Sequence, residues 1–257
     1  MQEYPYALQL YSVRDHCEQD PEAALRRVKE IGYDYVESAG FYGLDAATYK
    51  ALLDAVGLAA VSMHVGYELI AADIGEVQRQ AQLLGVSYVV VPWLGAETCP
   101  DREHWMLAAR QMNSAGAILR ERGIHLCYHN HAHEFARVDG GMIFDLIFEN
   151  SDAESLSIEL DTCWAHVGGM DVPALLALHA GRVPLAHIKD CKPMTGPETV
   201  VFAELGRGAM DWDAVLPAAK AAGAQWFIVE QDESEGDSME SAAVNAAFMQ
   251  SRNASAL

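Results

Sequence analysis

The segment His129-Asn130-His131, followed by Glu134 and then by Asp161, His187 and Glu230, concentrates imidazoles and carboxylates in the second half of this chain. Each stands at, or just beyond, the end of a short apolar run. Such side chains are seldom buried unless they are paired or hold a metal. Several acids around one point repel one another, and a bound cation is the simplest way to keep them ionised together. Three carboxylates and one imidazole form a hard, oxygen-rich donor set. It suits Mn2+, Mg2+ or Co2+ better than a structural zinc site, which prefers sulfur or nitrogen, although Zn2+ is within reach of such ligands. Each residue alone has a plain explanation: a strand-end His as a satisfied core residue, a strand-end acid as the cap of the next helix. Their succession on four consecutive strands points to a site.

Eight apolar runs are available to position these groups: Tyr6–Tyr11, Tyr33–Ser38, Leu58–His64, Ser87–Trp93, Ile124–Asn130, Ser157–Asp161, Val183–Lys189 and Gln225–Glu230. Most are continuous rather than alternating, as parallel strands covered on both faces should be. Gly32, Gly57, Gly85, Gly123, Gly181 and Gly223 each follow a helix-like segment and precede a strand, the place where glycine ends a helix. Asp20-Pro21-Glu22, Asp171-Val172-Pro173 and Asp211-Trp212-Asp213 carry helix-start signals. The last helix is expected from about Ser238 to Met249, with a frayed tail from Ser251. Eight strands alternating with eight helices predict one (β/α)8 TIM barrel over residues 1–257. A doubly wound sheet would want a glycine-rich turn after the first strand, where this chain has Gln9-Leu10-Tyr11-Ser12-Val13-Arg14. In a barrel, the site lies at the C-terminal ends of the strands. Side chains two apart share a face, so Glu159 with Asp161, and His187 with Lys189, should point into it together.

A barrel of this kind typically takes about 250 residues, and this chain has 257. The apolar fraction of 51% supports a sizeable core. The formal net charge of −20 argues against nucleic acid and anionic membranes as partners. Five cysteines, none in a CxxC pair, suggest no disulfide framework and hence a reducing, cytoplasmic setting. No apolar run is long enough to span a bilayer. Association into a homo-oligomer is compatible with the sequence.

Several stretches together resemble one family. Tyr128-His129-Asn130-His131-Ala132-His133-Glu134-Phe135 is similar to the YHNHxxEF signature of the sugar phosphate isomerase/epimerase family, whose members are xylose isomerase-like TIM barrels. Leu160-Asp161-Thr162-Cys163-Trp164 through Asp171, His187-Ile188-Lys189-Asp190 and Glu204-Leu205-Gly206-Arg207-Gly208 resemble it too. So do the opening Leu8–Arg14 and the late Val229-Glu230-Gln231-Asp232. The resemblance implies a divalent metal, Mn2+ first, held by Glu134, Asp161, His187 and Glu230. In relatives with a shorter fifth-strand motif the acid sits at the strand end, where this chain has His129 or Asn130, so Glu134 must reach back from a loop. His129 or His131 is the other candidate for that ligand position.

The chemistry implied is proton movement beside a sugar carbonyl, through a metal-bound enediolate, with Glu134 or Glu230 as base and Lys189 assisting. The substrate is a small keto-sugar or sugar phosphate. Its contacts are expected from Gln9, His64, Trp93, His129, Trp164 and Arg207, with plain packing as the alternative for Trp93 and Trp164 and pairing with Glu204 as that for Arg207. Isomerisation or epimerisation is the primary expectation. A dehydratase or lyase acting on an inosose or 3-keto-sugar is the alternative. An apurinic endonuclease would want a histidine-rich multi-zinc site and a basic face. A non-catalytic sugar-binding barrel would have no use for the four ligand positions with Lys189.

Overall fold

Helices in this chain end where glycine lets them. Gly32 caps the helix Pro21–Ile31 with φ 111° and Gly223 caps Trp212–Ala222 with φ 112°, a left-handed conformation that glycine adopts without a Cβ penalty. The computed structural model describes residues 3–193 and 200–255. Its main strands are β1 (Tyr6–Gln9), β2 (Tyr35–Ala39), β3 (Ala59–His64), β4 (Tyr88–Val91), β5 (His125–His129), β6 (Ser157–Asp161), β7 (Leu185–Ile188) and β8 (Trp226–Val229). They close into one barrel in which every strand pairs in parallel with its sequence neighbours and β8 returns to β1. The (β/α)8 expectation therefore holds.

The outward faces of the strands pack on the helices in one continuous core that includes Leu8, Val36, Met63, Val89, Leu126, Ile158, Ile188 and Phe227. Inside, the lower layers are apolar: Tyr88, Val90, Cys127 and Leu185 in one cluster, Ala7, Val61 and Ile228 in another, both against Trp226. Above them the inward side chains become polar. One irregularity matters there. The register between β2 and β3 shifts after Val36, so that Glu37 faces Ser62. Bulges of this kind re-aim side chains beside functional sites. Here the shift sets the Ser62 hydroxyl to donate to Glu37 Oε2 at 2.5 Å.

Most strand ends shift by one or two residues from the sequence reading, and two differences have a clear cause. β1 stops at Gln9 because its side-chain carbonyl accepts from the Tyr11 amide at 3.1 Å and opens a 3-10 turn over Leu10–Val13. The last helix runs Ser238–Ser255, beyond the point where fraying was expected. Asn253 ties it down by bonding both the amide and the carbonyl of Tyr4, at 2.8 and 3.0 Å.

One glycine marks a close approach of a helix to the loop that leads into β6. A Cβ on Gly116, inside the helix Arg102–Arg120, would lie 1.7 Å from the Ser155 carbonyl oxygen. That neighbour is backbone and cannot rotate away. Gly116→Ala is expected to destabilise the fold by about 1–3 kcal/mol, a drop in melting temperature of roughly 2–12 °C. Thermal unfolding by circular dichroism checks this; an unchanged melting temperature would contradict the packing described.

Candidate active site

Two polar layers are stacked at the C-terminal end of the barrel. The lower layer surrounds two buried carboxylates, Glu37 and Glu159. Glu37 Oε1 lies 2.9 Å from His64 Nε2 and 2.8 Å from His187 Nε2, and accepts from Gln9 Nε2 at 2.7 Å. Three imidazole nitrogens converge on Glu159 Oε2: His64 Nε2 at 3.0 Å, His129 Nδ1 at 3.1 Å and His187 Nε2 at 3.1 Å. Burial alone would raise Glu37, but the flanking His64 and His187 hold it well below the usual carboxylate range. Glu159 is raised, by burial and then by the charge of Glu37. Burial works against the His64 cation, yet Glu37 and Glu159 bring it up to about 10. His129 moves the other way: burial and the neighbouring positive charges keep it well below the ordinary imidazole value, so it is neutral.

The upper layer holds Asp161, His187, Lys189 and Glu230. Lys189 Nζ lies 2.9 Å from Asp161 Oδ2, 2.7 Å from Glu230 Oε2 and 2.8 Å from Asp232 Oδ1. His187 Nδ1 lies 2.9 Å from Glu230 Oε2. Asp161 is fixed twice over. Its Oδ1 accepts from the Trp164 amide at 2.7 Å and caps the next helix, while Asn130 bonds its backbone amide and carbonyl. Its Oδ2 accepts no well-directed hydrogen bond and has Lys189 only as an ion-pair partner. The buried charge of Lys189 is sustained by these acids. Burial opposes its cation, and Asp161, Glu230 and Asp232 raise it well above the ordinary lysine value. The same contacts, with His187, hold Glu230 low against burial.

Among the described residues, ligand atoms of His129, Asp161, His187 and Glu230 all lie within 4.8 Å of one another. Two imidazoles and two carboxylates, one carboxylate oxygen lacking a directed hydrogen bond, fit a divalent cation in their chemistry. Three of the residues expected from the sequence, Asp161, His187 and Glu230, are thus brought together. Glu134 is not brought to them. Its Oε1 accepts from the Tyr128 hydroxyl at 2.7 Å and its Oε2 from the His131 amide at 2.8 Å, with His133 Nε2 at 3.2 Å. Tyr128 belongs to the outward face of β5, so Glu134 is satisfied behind the strand, and the β5 position in the group falls to His129.

A cavity of about 360 Å3 opens above these layers, lined by Tyr11, Arg14, His64, Trp93, His129, His131, Glu230, Asp232 and Glu233. His64, Trp93 and His129, expected as substrate contacts, do line it. Gln9, Trp164 and Arg207 do not. Gln9 is buried in the Glu37 network. Trp164 packs against His131 and Phe202. Arg207 pairs with Glu204 at 3.5 Å on the surface. Trp93, 53% exposed, is held edge-on by His131. Asp232, with its side chain 18% exposed, reaches both the cavity and Lys189. Burial pushes its carboxyl up, against the pull of Lys189, to about 6. Glu37, Glu159 and Asp232 all stood at strand ends in the sequence, on the inward parity; nothing in their spacing set them apart from helix caps.

A closed parallel barrel with a buried polar site at its C-terminal mouth and an aromatic rim above it defines an enzyme-type TIM barrel. The chain belongs to the xylose isomerase-like TIM barrel family, whose model matches residues 25–252. It is 28% identical over 145 residues to an inosose dehydratase of Geobacillus thermodenitrificans (strain NG80-2), covering 51% of this chain and 48% of that one. It is 24% identical over 202 residues to an inosose dehydratase of Geobacillus kaustophilus (strain HTA426), covering 69% and 64%. These matches span less than two thirds of the relatives' own length. A sugar phosphate isomerase/epimerase from Parabacteroides distasonis superposes with a TM-score of 0.82 at 22% identity, over 95% of this chain and 97% of that one. A xylose isomerase-like TIM barrel protein from Mycobacterium smegmatis in complex with magnesium superposes with a TM-score of 0.71 at 17% identity, over 99% and 98%. Among the described residues no helix is long and apolar enough to cross a membrane.

Proposed function

We propose that this protein is a divalent-metal-dependent enzyme that moves a proton next to the carbonyl of a small sugar, as a keto-sugar isomerase or epimerase. The observation that carries this reading is the convergence of His129, Asp161, His187 and Glu230, two of which, His129 and Glu230, line a cavity. A bound divalent ion supplies positive charge where negative charge develops on a carbonyl oxygen; Mn2+, Mg2+, Co2+ and Zn2+ all suit the donor set, with Mn2+ our first choice. The magnesium complex of the Mycobacterium smegmatis relative supports a hard divalent ion in this fold.

The protein's own groups divide the rest of the work. Glu230 has its Oε2 taken by Lys189 and His187 and serves the cation. Among the described residues the Asp232 carboxylate has Lys189 as its one ion-pair partner, and it faces the cavity, so it takes the α-proton. Lys189, between them, stabilises each carboxylate as the proton moves. Trp93 offers an apolar face to the carbon side of the sugar ring, with His131 packed against it, and His64 also lines the cavity. Returning the proton to the adjacent carbon isomerises; returning it to the opposite face of the same carbon epimerises. With Glu134 turned away behind β5, the carboxylates lining the cavity among the described residues are Glu230, Asp232 and Glu233, all beyond β8, and one-sided transfer, hence isomerisation, is the better supported outcome.

The inosose dehydratase relatives favour a second reading, loss of a β-hydroxyl from an inosose or 3-keto-sugar after the same proton abstraction. One experiment separates the two. The Mn2+-loaded protein is incubated in D2O with a panel of ketoses and keto-inositols and followed by NMR. Deuterium beside the carbonyl with the hydroxyls retained supports isomerisation, and loss of water supports dehydration. No deuterium in any member of the panel, with metal bound, would remove both readings.

A further inference from the structure

The two histidines of the proposed metal group present opposite ring nitrogens to it. His129 turns Nδ1 down to Glu159 Oε2, at 3.1 Å, and leaves Nε2 on the side of Asp161 Oδ2, at 3.9 Å. His187 does the reverse. Its Nε2 faces down to Glu37 Oε1 at 2.8 Å and Glu159 Oε2 at 3.1 Å, and its Nδ1 faces Glu230 Oε2 at 2.9 Å. The rings are locked, with centroids 4.4 Å apart and planes crossed at 68°.

We infer that the buried pair Glu37 and Glu159 is a tautomer-setting floor, which makes His129 a ligand through Nε2 and His187 a ligand through Nδ1. This rests on the metal-dependent function proposed above. Imidazole has two distinct nitrogens, and the hydrogen bond made by one decides which is free to bind a metal. Glu37 is suited to accept rather than ligate, because Gln9, Ser62, His64 and His187 already surround its two oxygens. His64 completes the floor by standing within 2.9 and 3.0 Å of the two acids. Glu37 and Glu159 are therefore positioning residues: they act through the histidines.

The same atoms allow a competing arrangement. His64, His129, His187 and Glu159 also bring ligand atoms within 4.8 Å of one another, so the floor could itself cage an ion. Filling both layers at once would strip both N–H protons from His129 and His187. It would also leave Glu37 without its histidine donors in a fully buried position, which is costly. One ion, in the upper layer, leaves the Nδ1 proton of His129 and the Nε2 proton of His187 on the carboxylates beneath them.

The test uses the full-length, chelator-stripped protein titrated with Mn2+ in competition with a chelating dye. Wild type is expected to bind one ion. Glu159→Gln and Glu37→Gln are expected to bind one ion about 10–100-fold more weakly. In the diamagnetic Zn2+-loaded wild type, 15N–1H correlation of the imidazoles should show one histidine bound through Nε2 with an Nδ1 proton and one bound through Nδ1 with an Nε2 proton. That spectrum needs no variant to fold. Ligation of both histidines through the same nitrogen overturns the inference. So does wild-type affinity in folded Glu159→Gln, or a stoichiometry of two that falls to one in that variant. Binding of no ion by wild type would instead remove the function on which the inference rests.

Discussion

Replacing Lys189 with Met is expected to destabilise the metal-free protein by about 3–5 kcal/mol at neutral pH. The methionine fills the stem's volume, so the loss is electrostatic. Lys189 is fully buried and lies within 2.9 Å of three carboxylates, and its removal leaves Asp161, Glu230 and Asp232 facing one another. In a chain of this size the change corresponds to roughly 6–20 °C in melting temperature. The effect should depend on pH. Asp232 already has its carboxyl pushed up to about 6 with the lysine present, and the variant removes the group that pulls it down. An acid whose folded pKa lies above its unfolded value, about 3.9, favours the folded state below that value. This advantage is lost as pH rises through the folded pKa. Lys189→Met should therefore lose stability as pH climbs from 5 to 8, and its deficit against wild type should be smaller at pH 5. Added Mn2+ should raise its melting temperature more than that of wild type, since the ion replaces the missing charge. Denaturant titrations at pH 5 and 7.5, with and without Mn2+, check this. Equal deficits at both pH values would mean that the three acids do not share the charge.

The barrel was legible because its signals are local and repeated: continuous apolar runs, a glycine after six of the helix-like segments, and inward pairs two residues apart such as Glu159 with Asp161. Depth inside the barrel was not legible. Glu159 and Asp161 share a face, but one lies a layer lower, so Asp161 reaches the metal group while Glu159 sits beneath it holding histidines. Glu37 was visible only as a strand-end acid; the register shift after Val36 that sets Ser62 opposite it has no sequence marker. Glu134 was placed from a motif, and the motif does not say which way a loop acid turns. Its partner, Tyr128, points out of the barrel because it is one residue before the inward His129, and that alternation is the signal that could have separated them. Trp164 and Gln9 were well placed along the chain, yet they are spent on packing and on the Glu37 network.

Exchanging the two carboxylates beyond β8 for amides is expected to separate metal binding from proton transfer. Asp232→Asn should leave Mn2+ affinity close to wild type, because Asp232 lies outside the group His129, Asp161, His187 and Glu230. It should slow deuterium exchange beside the substrate carbonyl by about 10²–10⁴-fold, the usual contribution of a positioned general base, or roughly 2.7–5.4 kcal/mol of barrier. Glu230→Gln should lose both properties. The amide brings no charge to the cation and takes away the negative partner that Lys189 and His187 share. Lys189 keeps Asp161 and Asp232 as partners at 2.9 and 2.8 Å, so Glu230→Gln should remain folded, which circular dichroism verifies before the kinetics are read. Metal affinity by dye competition and exchange by NMR then give two numbers for each variant. If Asp232→Asn exchanged as fast as wild type while Glu230→Gln, saturated with Mn2+, did not, the base would be Glu230 and the division of labour between the two acids would be reversed. If both variants exchanged at the wild-type rate, neither carboxylate would take the proton, and His131, with its Nδ1 lacking a hydrogen-bond partner and burial bringing its pKa down to about 3, would be the next group to replace.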